Sequence, residues 1–562
     1  VVVGLYIAFN FMALTARVGM PTTTDTIIGV IAVVLVLEAA RRAENWGMVV
    51  IAVVFLLYFR FGYLLPGLLG HKGFDLQRIV TTMYLSTDGL MGIPLQTMLQ
   101  YVVMFIIFGA FMETLGGAQF FIRLAMAVAG RFSGGPAQVA VVSSGLMGMI
   151  SGSAVANVAT TGVFTIPLMK RLGYPKHLAG AIEAASSTGG QILPPIMGAA
   201  AFIMAEFLQV PYLSVVKVAV IPAVLYYVGI SMAVYLEAKK RRLAPIPIDE
   251  RPKAKDVFRE YGLYLIPIAT LAGTLLSGWS PSRSGLVGVI LVVVVALVQR
   301  RKSGLNWAKA YDSLRSAGRI VGSLAVVAAA AGIIVGVVNV SGLGTKLARF
   351  MIELSGGNVP ILLILTMILS IIIGMGSTTV VCYILTATLV APALVEVGIE
   401  PILAHLFLQY FAILSMVTPP VALSAYAGAG LAGAAPGKTG WAAFRLALPG
   451  FIIPFVFVYS PALASMGNAL EVAWAAVSAA IGLFALGGCT VGYFFGTATW
   501  WERVLLGIAA LVLIIPGLAT DLVGFGIIAG IFFVQRVRRA KSDESGDSPA
   551  TERQIEVAPE DA

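Results

Sequence analysis

The chain has 562 residues, of which 59% are hydrophobic and 11% charged, and 37 Lys and Arg against 27 Asp and Glu leave a net charge of +10. A soluble globule averages about 25% charged residues, so a chain this apolar has too little polar surface to cover itself and must sit in a bilayer. That excludes a soluble enzyme or a nucleic-acid binder, and the surplus of Lys and Arg reads as a cytoplasmic-loop bias.

The chain begins with Val1, already inside an apolar run. It reads as trimmed, and its first segment is too poorly flanked for a signal peptide. A helix crosses a bilayer with about 20 apolar residues. Stretches free of Asp, Glu, Lys and Arg occupy 132–169, 184–205, 261–282, 320–345, 354–395, 401–437, 446–470 and 472–501. With the shorter apolar runs, this predicts an all-α polytopic membrane protein of about fourteen to sixteen membrane segments. Basic loops at Arg41-Arg42, Lys239 to Arg259 and Arg300 to Arg319, and the tail Arg536, Arg538, Arg539 and Lys541, should face the cytoplasm. Residues 542–562 are polar and acidic and read as disordered.

Two stretches share one register. Pro167 and Pro392, Gly173 and Gly398, Pro194 and Pro419, and Pro195 and Pro420 are all separated by the same offset. Ser153 pairs with Thr378 and Thr161 with Thr386 at that offset too. This predicts two repeats, about 105–235 and 325–460, of the kind found in secondary transporters. Inversion of one repeat relative to the other is the favoured arrangement, though the count of crossings leaves it open.

Each repeat carries two apolar yet broken segments. The first is SGSAVANVATTG from Ser151, with GMGSTT from Gly374 as its counterpart. Glycines and clustered hydroxyls make a poor straight helix and a good re-entrant hairpin tip. Non-helical backbone at membrane depth is tolerated where protein or a water-filled cavity satisfies it. The second is SSTGGQILPP from Ser186, with SMVTPP from Ser415 as its counterpart. Proline lacks an N–H and clashes one turn back, so paired prolines unwind the helix and release carbonyls. Carbonyls and hydroxyls together suit a hard cation, and half-helix N-termini suit an anionic solute.

An intramembrane carboxylate is a functional candidate by default. Glu113, Glu183 and Glu206 qualify, Glu183 foremost as a candidate for proton coupling because it lies five residues before Thr188. His177 and His405 read as interfacial residues, and Cys382 as a small packing residue. Two cysteines and three histidines give neither a disulfide framework nor a metal cluster. The chain contains no GxxxxGK[ST], which argues against ATP-driven transport.

At these residues the sequence resembles a known family. SGSAVANVATTG, AIEAASSTGGQILPPIMGAAAFIMAE, HLFLQYFAILSMVTPPVALSAYAGAGLAG and AFRLALPGFIIPFVFVYSPAL are similar to the tripartite ATP-independent periplasmic (TRAP) transporters. The likeness is greatest to the fused permease of the TAXI branch and covers residues 1–465. It implies a permease that takes solute from an extracytoplasmic binding protein and imports small organic anions, often carboxylates, with a cation gradient, typically Na+. It also implies an elevator-type fold and a bacterial cytoplasmic membrane.

Carried over by motif, the hairpin tips are Ser151, Gly152, Ser153 and Asn157, and Gly376, Ser377, Thr378 and Thr379. The unwound segments are Thr188, Gly189 and Gly190, and Thr418, Pro419 and Pro420. Na+ would sit at the tips, against Ser151, Ser153, Gly376, Ser377 and Thr378. Residues 1–80 would be a small-subunit-like stator and 81–465 the large-subunit-like transport region. Residues 466–535 would be additional membrane helices and 536–562 a disordered cytoplasmic tail. The chain is expected to act as a monomer, because both repeats lie within it.

Other functions fit less well. A binding-protein-independent divalent-anion symporter could use similar twin hairpins. A channel would need a pore-lining ring, and an enzyme a convergent catalytic set that the sequence does not offer.

Overall fold

The computed structural model describes residues 2–17, 19–44, 46–299, 303–514 and 517–544. Residues 545–562 of the expected disordered tail, and residues 300–302 of the third basic loop, lie outside the described residues, whereas 536–544 of that tail continue the helix Leu518–Glu544. Among the described residues the chain is helical, and its only β structure is an isolated bridge between Tyr493 and Thr497.

Nine described helices are long and apolar enough to cross a bilayer: Thr23–Ala43, Trp46–Leu64, Ile93–Leu115, Tyr212–Lys240, Pro281–Val298, Trp307–Ser341, Pro436–Tyr459, Ala469–Val491 and Ala519–Arg538. The higher number expected from sequence came from apolar runs that fold as shorter pieces. Val359–Gly374 and Thr379–Leu389 have 16 and 11 residues, hence lengths of about 24 and 17 Å at 1.5 Å per residue. Neither spans a hydrocarbon core of about 30 Å.

Of the N-terminal helices, Val2–Ala16 is tied to Thr23–Ala43 by Asp25, and Trp46–Phe61 packs on Thr23–Ala43. Thr22 and Asp25 form a capping box. The buried Asp25 also accepts hydrogen bonds from Tyr6 Oη at 2.6 Å and Arg17 Nη2 at 3.2 Å. This unit packs on Trp307–Ser341, a helix of 35 residues. At about 52 Å that helix outreaches the hydrocarbon, and its charged first turns (Lys309, Asp312, Arg315, Arg319) belong outside it. Trp307–Ser341 also packs on Val103–Leu115, so it joins the N-terminal helices to the rest.

At the other end, Ala469–Val491, Trp500–Ile514 and Leu518–Glu544 pack on one another, and the first packs on Tyr212–Lys240. Polar contacts fix this unit. Asp521, fully buried, accepts from Trp474 Nε1 at 2.7 Å and Ser478 Oγ at 2.5 Å. Glu502, also buried, pairs with Arg538 and accepts from Thr499 N–H at 2.8 Å. Large apolar side chains such as Val34, Leu35, Val54, Leu57, Ile508 and Leu511 point outward. Exposed apolar surface on this scale marks contact with lipid.

Candidate functional site

Between these flanking units lie four interrupted helices. Gly135–Ser151 stops at Gly152, whose φ of +64° is a left-handed conformation that glycine adopts without strain. Ser153 is extended and its Oγ accepts from Ala156 N–H at 3.4 Å, starting Ala154–Arg171. A two-residue turn folds the legs against each other as a hairpin. Val359–Gly374 and Thr379–Leu389 form a second hairpin around Gly376, at φ +81°.

The broken helices repeat one succession of conformations. Lys176–Gly189 runs into a 3-10 turn at Gly190–Ile192, an extended Leu193, a cis Pro194-Pro195 bond and Met197 at φ +62°, then Ala199–Phe207. Pro401–Leu414 runs into a 3-10 turn at Ser415–Val417, an extended Thr418, a cis Pro419-Pro420 bond and Ala422 at φ +34°, then Leu423–Ala432. From the 3-10 turn to the left-handed residue, each state recurs at the offset that separates Pro194 from Pro419.

Glycines let these pieces meet. A Cβ on Gly190 would lie 2.4 Å from Gly148 Cα, so the first hairpin rests directly on the first break. A Cβ on Gly374 would lie 2.4 Å from Ser415 Oγ, the matching contact in the second half. The two broken helices cross where a Cβ on Gly180 would stand 2.7 Å from Gly428 O. Thr188 Oγ1 and Ser424 Oγ, 3.1 Å apart, join them a little further on.

Glu183 is the buried carboxyl at the centre of the first half. It is fully buried where the first hairpin packs on Lys176–Gly189. Its carboxylate accepts from Ser144 Oγ at 2.6 Å, Thr161 Oγ1 at 2.5 Å, Ser187 Oγ at 3.2 Å and Thr165 Oγ1. Asn157 Nδ2 donates to Ser144 O at 2.7 Å, while its buried Oδ1 has no partner. In the shared register Glu183 corresponds to Leu408, so the second half has no carboxyl at the matching position. It holds instead unpaired buried polar atoms: both amide atoms of Gln409, and the hydroxyls of Thr366, Ser370 and Thr378. Unpaired buried groups are costly, and they are common where an ion, a water or a ligand binds.

Of the expected site residues, Gly152, Ser153, Gly376 and Thr378 are at the two tips, with Ser151 and Ser377 beside them. Asn157 is one turn into the return leg, and Thr379 opens the second return leg. Thr188 and Thr418 each donate to the carbonyl four residues back, Ala184 and Leu414, both at 2.7 Å. The structural counterpart of Thr418 is Leu193, since Thr188 precedes its 3-10 turn and Thr418 follows its own. Gly189 faces away from the tips: a Cβ there would be 2.2 Å from Tyr226 Cε1, so it serves close packing on Tyr212–Lys240. Pro419 and Pro420 lie in the second break.

His405 differs from expectation. It is buried, with Nδ1 2.8 Å from Tyr383 Oη, because the second turn of Pro401–Leu414 points into the core. Cys382 is buried and its Sγ donates to Ser370 O at 3.2 Å. Glu113 accepts from Thr160 Oγ1 at 2.7 Å on the flank of the first hairpin. Glu206 lines a separate cavity of about 240 Å³ with Tyr101, Tyr212 and Trp279.

Sequence reasoning missed Glu44. Placed between Thr23–Ala43 and Trp46–Phe61, it accepts the N–H of Thr378 at the second tip, 334 residues away. Burial pushes its carboxyl up from the ordinary value of 4.5, against the pull of that hydrogen bond. Nothing in its local sequence marks it. Ser144 and Thr165 were also missed, although their spacing on the hairpin legs facing Glu183 could have shown them. Among the described residues no group of three His, Cys, Asp or Glu could hold a metal.

Broken helices paired between two halves of a helical membrane protein are the architecture of secondary transporters. Residues 31–472 match the family described as "Tripartite ATP-independent periplasmic transporter, DctM component", and the chain belongs to that family. Permeases of this family act with a periplasmic solute-binding protein. The chain is similar to the C4-dicarboxylate TRAP transporter large permease protein DctM of Pseudomonas aeruginosa, 27% identical over 364 residues, covering 64% of this chain and 83% of that one. It is 24% identical to the isethionate TRAP transporter permease protein DctMQ of Oleidesulfovibrio alaskensis over 337 residues, 59% of this chain and 52% of that one. It is 22% identical to the 2,3-diketo-L-gulonate TRAP transporter large permease protein YiaN of Escherichia coli over 354 residues, 62% and 79% of the two chains.

Proposed function

We propose that this permease imports a small organic anion, a carboxylate first among the candidates, handed to it by an extracytoplasmic binding protein and driven by a cation gradient. The observation that carries this reading is the recurrence of one hairpin and one helix break in the same order, the breaks at a constant sequence offset. Two such units suit a centrally placed solute site flanked by two cation sites, with the halves inverted in the bilayer. The names of the three relatives each specify an organic acid.

Na+ is the coupling ion this reading favours. Asn157 Oδ1 and Thr378 Oγ1, both buried and unpaired, would hold it beside released tip carbonyls. These are hard, neutral oxygens that match a hard cation. The hairpins and breaks would move together as an elevator against a scaffold. That scaffold would include residues 1–80, Tyr212–Lys240 and the helices from 466 to 535. The family match begins at residue 31 and takes in 31–80, so the fused small-subunit reading of residues 1–80 rests on the TAXI likeness alone. One chain would then make one working permease.

A second reading is carried by Glu183. A buried carboxylate ringed by four hydroxyls, absent from the matching position of the other half, could take up and release a proton in place of one cation.

Uptake of labelled 2-oxoglutarate or glutamate into proteoliposomes, with Na+ and proton gradients imposed separately and the binding protein added or omitted, tests both. Accumulation requiring Na+ and binding protein supports the first reading. Accumulation driven by protons alone moves coupling to Glu183. Accumulation without binding protein overturns the tripartite assignment.

A further inference from the structure

After the second broken helix the chain turns into Pro436–Leu446, a short helix that packs on Lys176–Gly189. Beside it opens a cavity of about 720 Å³ lined by His177, Lys438, Trp441, Phe444, Arg445 and Leu448. None of these residues belongs to the hairpin tips or the helix breaks.

The polar rim is cationic. Lys438 is exposed and forms no hydrogen bond or ion pair among the described residues. Arg445 has one acidic neighbour, Glu237 at 3.7 Å, and Glu237 is already held by Arg241 at 2.7 Å. Burial first, and then the charges of Arg241, Lys438 and Arg445, push the His177 pKa down, with Glu237 alone opposing. The rest of the lining, on the same stretch of chain, is apolar. Trp441 is 64% exposed, its ring 5.8 Å from that of Phe444, and Leu448 continues the wall.

The depth of the cavity follows from charge. Arg241 begins the basic loop that follows Tyr212–Lys240, and loops of this kind face the cytoplasm. An exposed Trp beside Lys and Arg at that level is the arrangement of a membrane–water interface.

We propose that this cavity binds the headgroup of an anionic phospholipid of the cytoplasmic leaflet. Lys438 and Arg445 take the phosphate, and Trp441, Phe444 and Leu448 cover the glycerol and the first acyl methylenes. A phosphate-bearing ligand without chains would use the rim and leave the wall bare, which is why a lipid is chosen over a free anion. Basic pockets between membrane helices on the cytoplasmic side commonly hold such headgroups.

The test is native mass spectrometry of the full chain with phosphatidylglycerol and, separately, phosphatidylcholine. Lys438→Gln removes a charge that has no protein partner, so it leaves folding intact, and Trp441→Ala removes the wall. Each basic residue near the surface contributes on the order of 1 kcal/mol to anionic-lipid attraction. Lys438→Gln should therefore lower phosphatidylglycerol occupancy about fivefold, Trp441→Ala should lower it too, and phosphatidylcholine should be retained equally by all forms. Equal phosphatidylglycerol occupancy in wild type and a Lys438→Gln/Arg445→Gln double variant of unchanged Tm overturns the proposal. So does displacement of the lipid by inorganic phosphate alone, which would identify a soluble anion as the ligand.

Discussion

The carboxylate of Glu44 accepts the backbone N–H of Thr378, so a side chain from the N-terminal helices caps the tip of the second hairpin. Thr378 occupies the N-cap position of Thr379–Leu389, yet its own hydroxyl makes no capping bond. A carboxylate at a helix N-terminus is favourable by charge as well as by hydrogen bonding. The contact joins a unit proposed to stay still to one proposed to move. A Glu44→Cys/Thr378→Cys pair, cross-linked by a short bifunctional reagent, should therefore block uptake more than tenfold, with release of the link restoring it. Undiminished uptake by the cross-linked protein would show that the two elements travel together.

The same contact should respond to pH. The Glu44 carboxyl is raised by burial in the closed contact, so closure favours its protonated form. The contribution is complete below the ordinary carboxylate value of 4.5, and it is lost as pH rises through the higher value of the closed state. Maleimide labelling of a Ser377→Cys reporter should thus accelerate as pH rises from that range toward neutrality. Thiolate formation alone speeds any maleimide reaction as pH rises, so the Glu44→Gln background should show only that intrinsic rise and the Glu44 protein a steeper one.

Glu183 separates structural from coupling roles. Replacing it with Leu, the residue at the matching position of the other half, strands four hydroxyls of the first-half cluster. Some of them, such as Thr161 and Thr165, can fall back on backbone carbonyls at 2.8 and 3.1 Å. The stability loss should be about 1–3 kcal/mol, read as a lower Tm. Glu183→Gln keeps the volume and one acceptor oxygen. If proton uptake at Glu183 drives transport, this variant should lose proton-driven accumulation more than tenfold while solute binding survives. Unchanged proton-driven accumulation would leave Glu183 a purely structural residue.

The breaks and tips were legible because proline and glycine mark backbone geometry directly. The prolines at 194–195 and 419–420 and the glycines at 152 and 376 lie where the chain departs from the helix. The number of crossings was less legible, since an apolar run such as 354–395 looks alike whether it spans once or folds into two legs. His405 was misplaced because nearness to Pro401 says where a helix starts and not which way its second turn faces. Glu44 could not be found from its neighbours, because its partner is a backbone amide 334 residues away.

Two glycines near the site should behave differently when given a side chain. Gly190→Ala drives a Cβ to 2.4 Å from backbone of Gly148, which no rotamer change relieves. Overpacking of this kind costs about 1–3 kcal/mol or more, and the first hairpin should lose its seat on the break, with uptake falling in step with Tm. Gly376→Ala meets no atom within 4 Å but must hold φ at +81°. Its cost is the left-handed conformation alone, about 1–2 kcal/mol, and its effect should be confined to the second tip. A measured order with Gly376→Ala the more damaging for Tm would contradict the packing of hairpin on break described above.

The C-terminal helices offer a control that the transport site should not feel. The family match ends at residue 472, and beyond it the three helices are held to one another by Asp521 and Glu502. Asp521 accepts from both Trp474 and Ser478, through different oxygens. Asp521→Asn keeps one acceptor for Trp474 while the Ser478 hydroxyl turns to Leu513 O at 2.9 Å, so what is lost is one hydrogen bond to a carboxylate, about 1.5–3 kcal/mol. If these helices are scaffold, the variant should unfold at lower temperature while KM for solute and the choice of coupling ion stay as in wild type. A changed KM with an unchanged Tm would place this unit in the transport path instead.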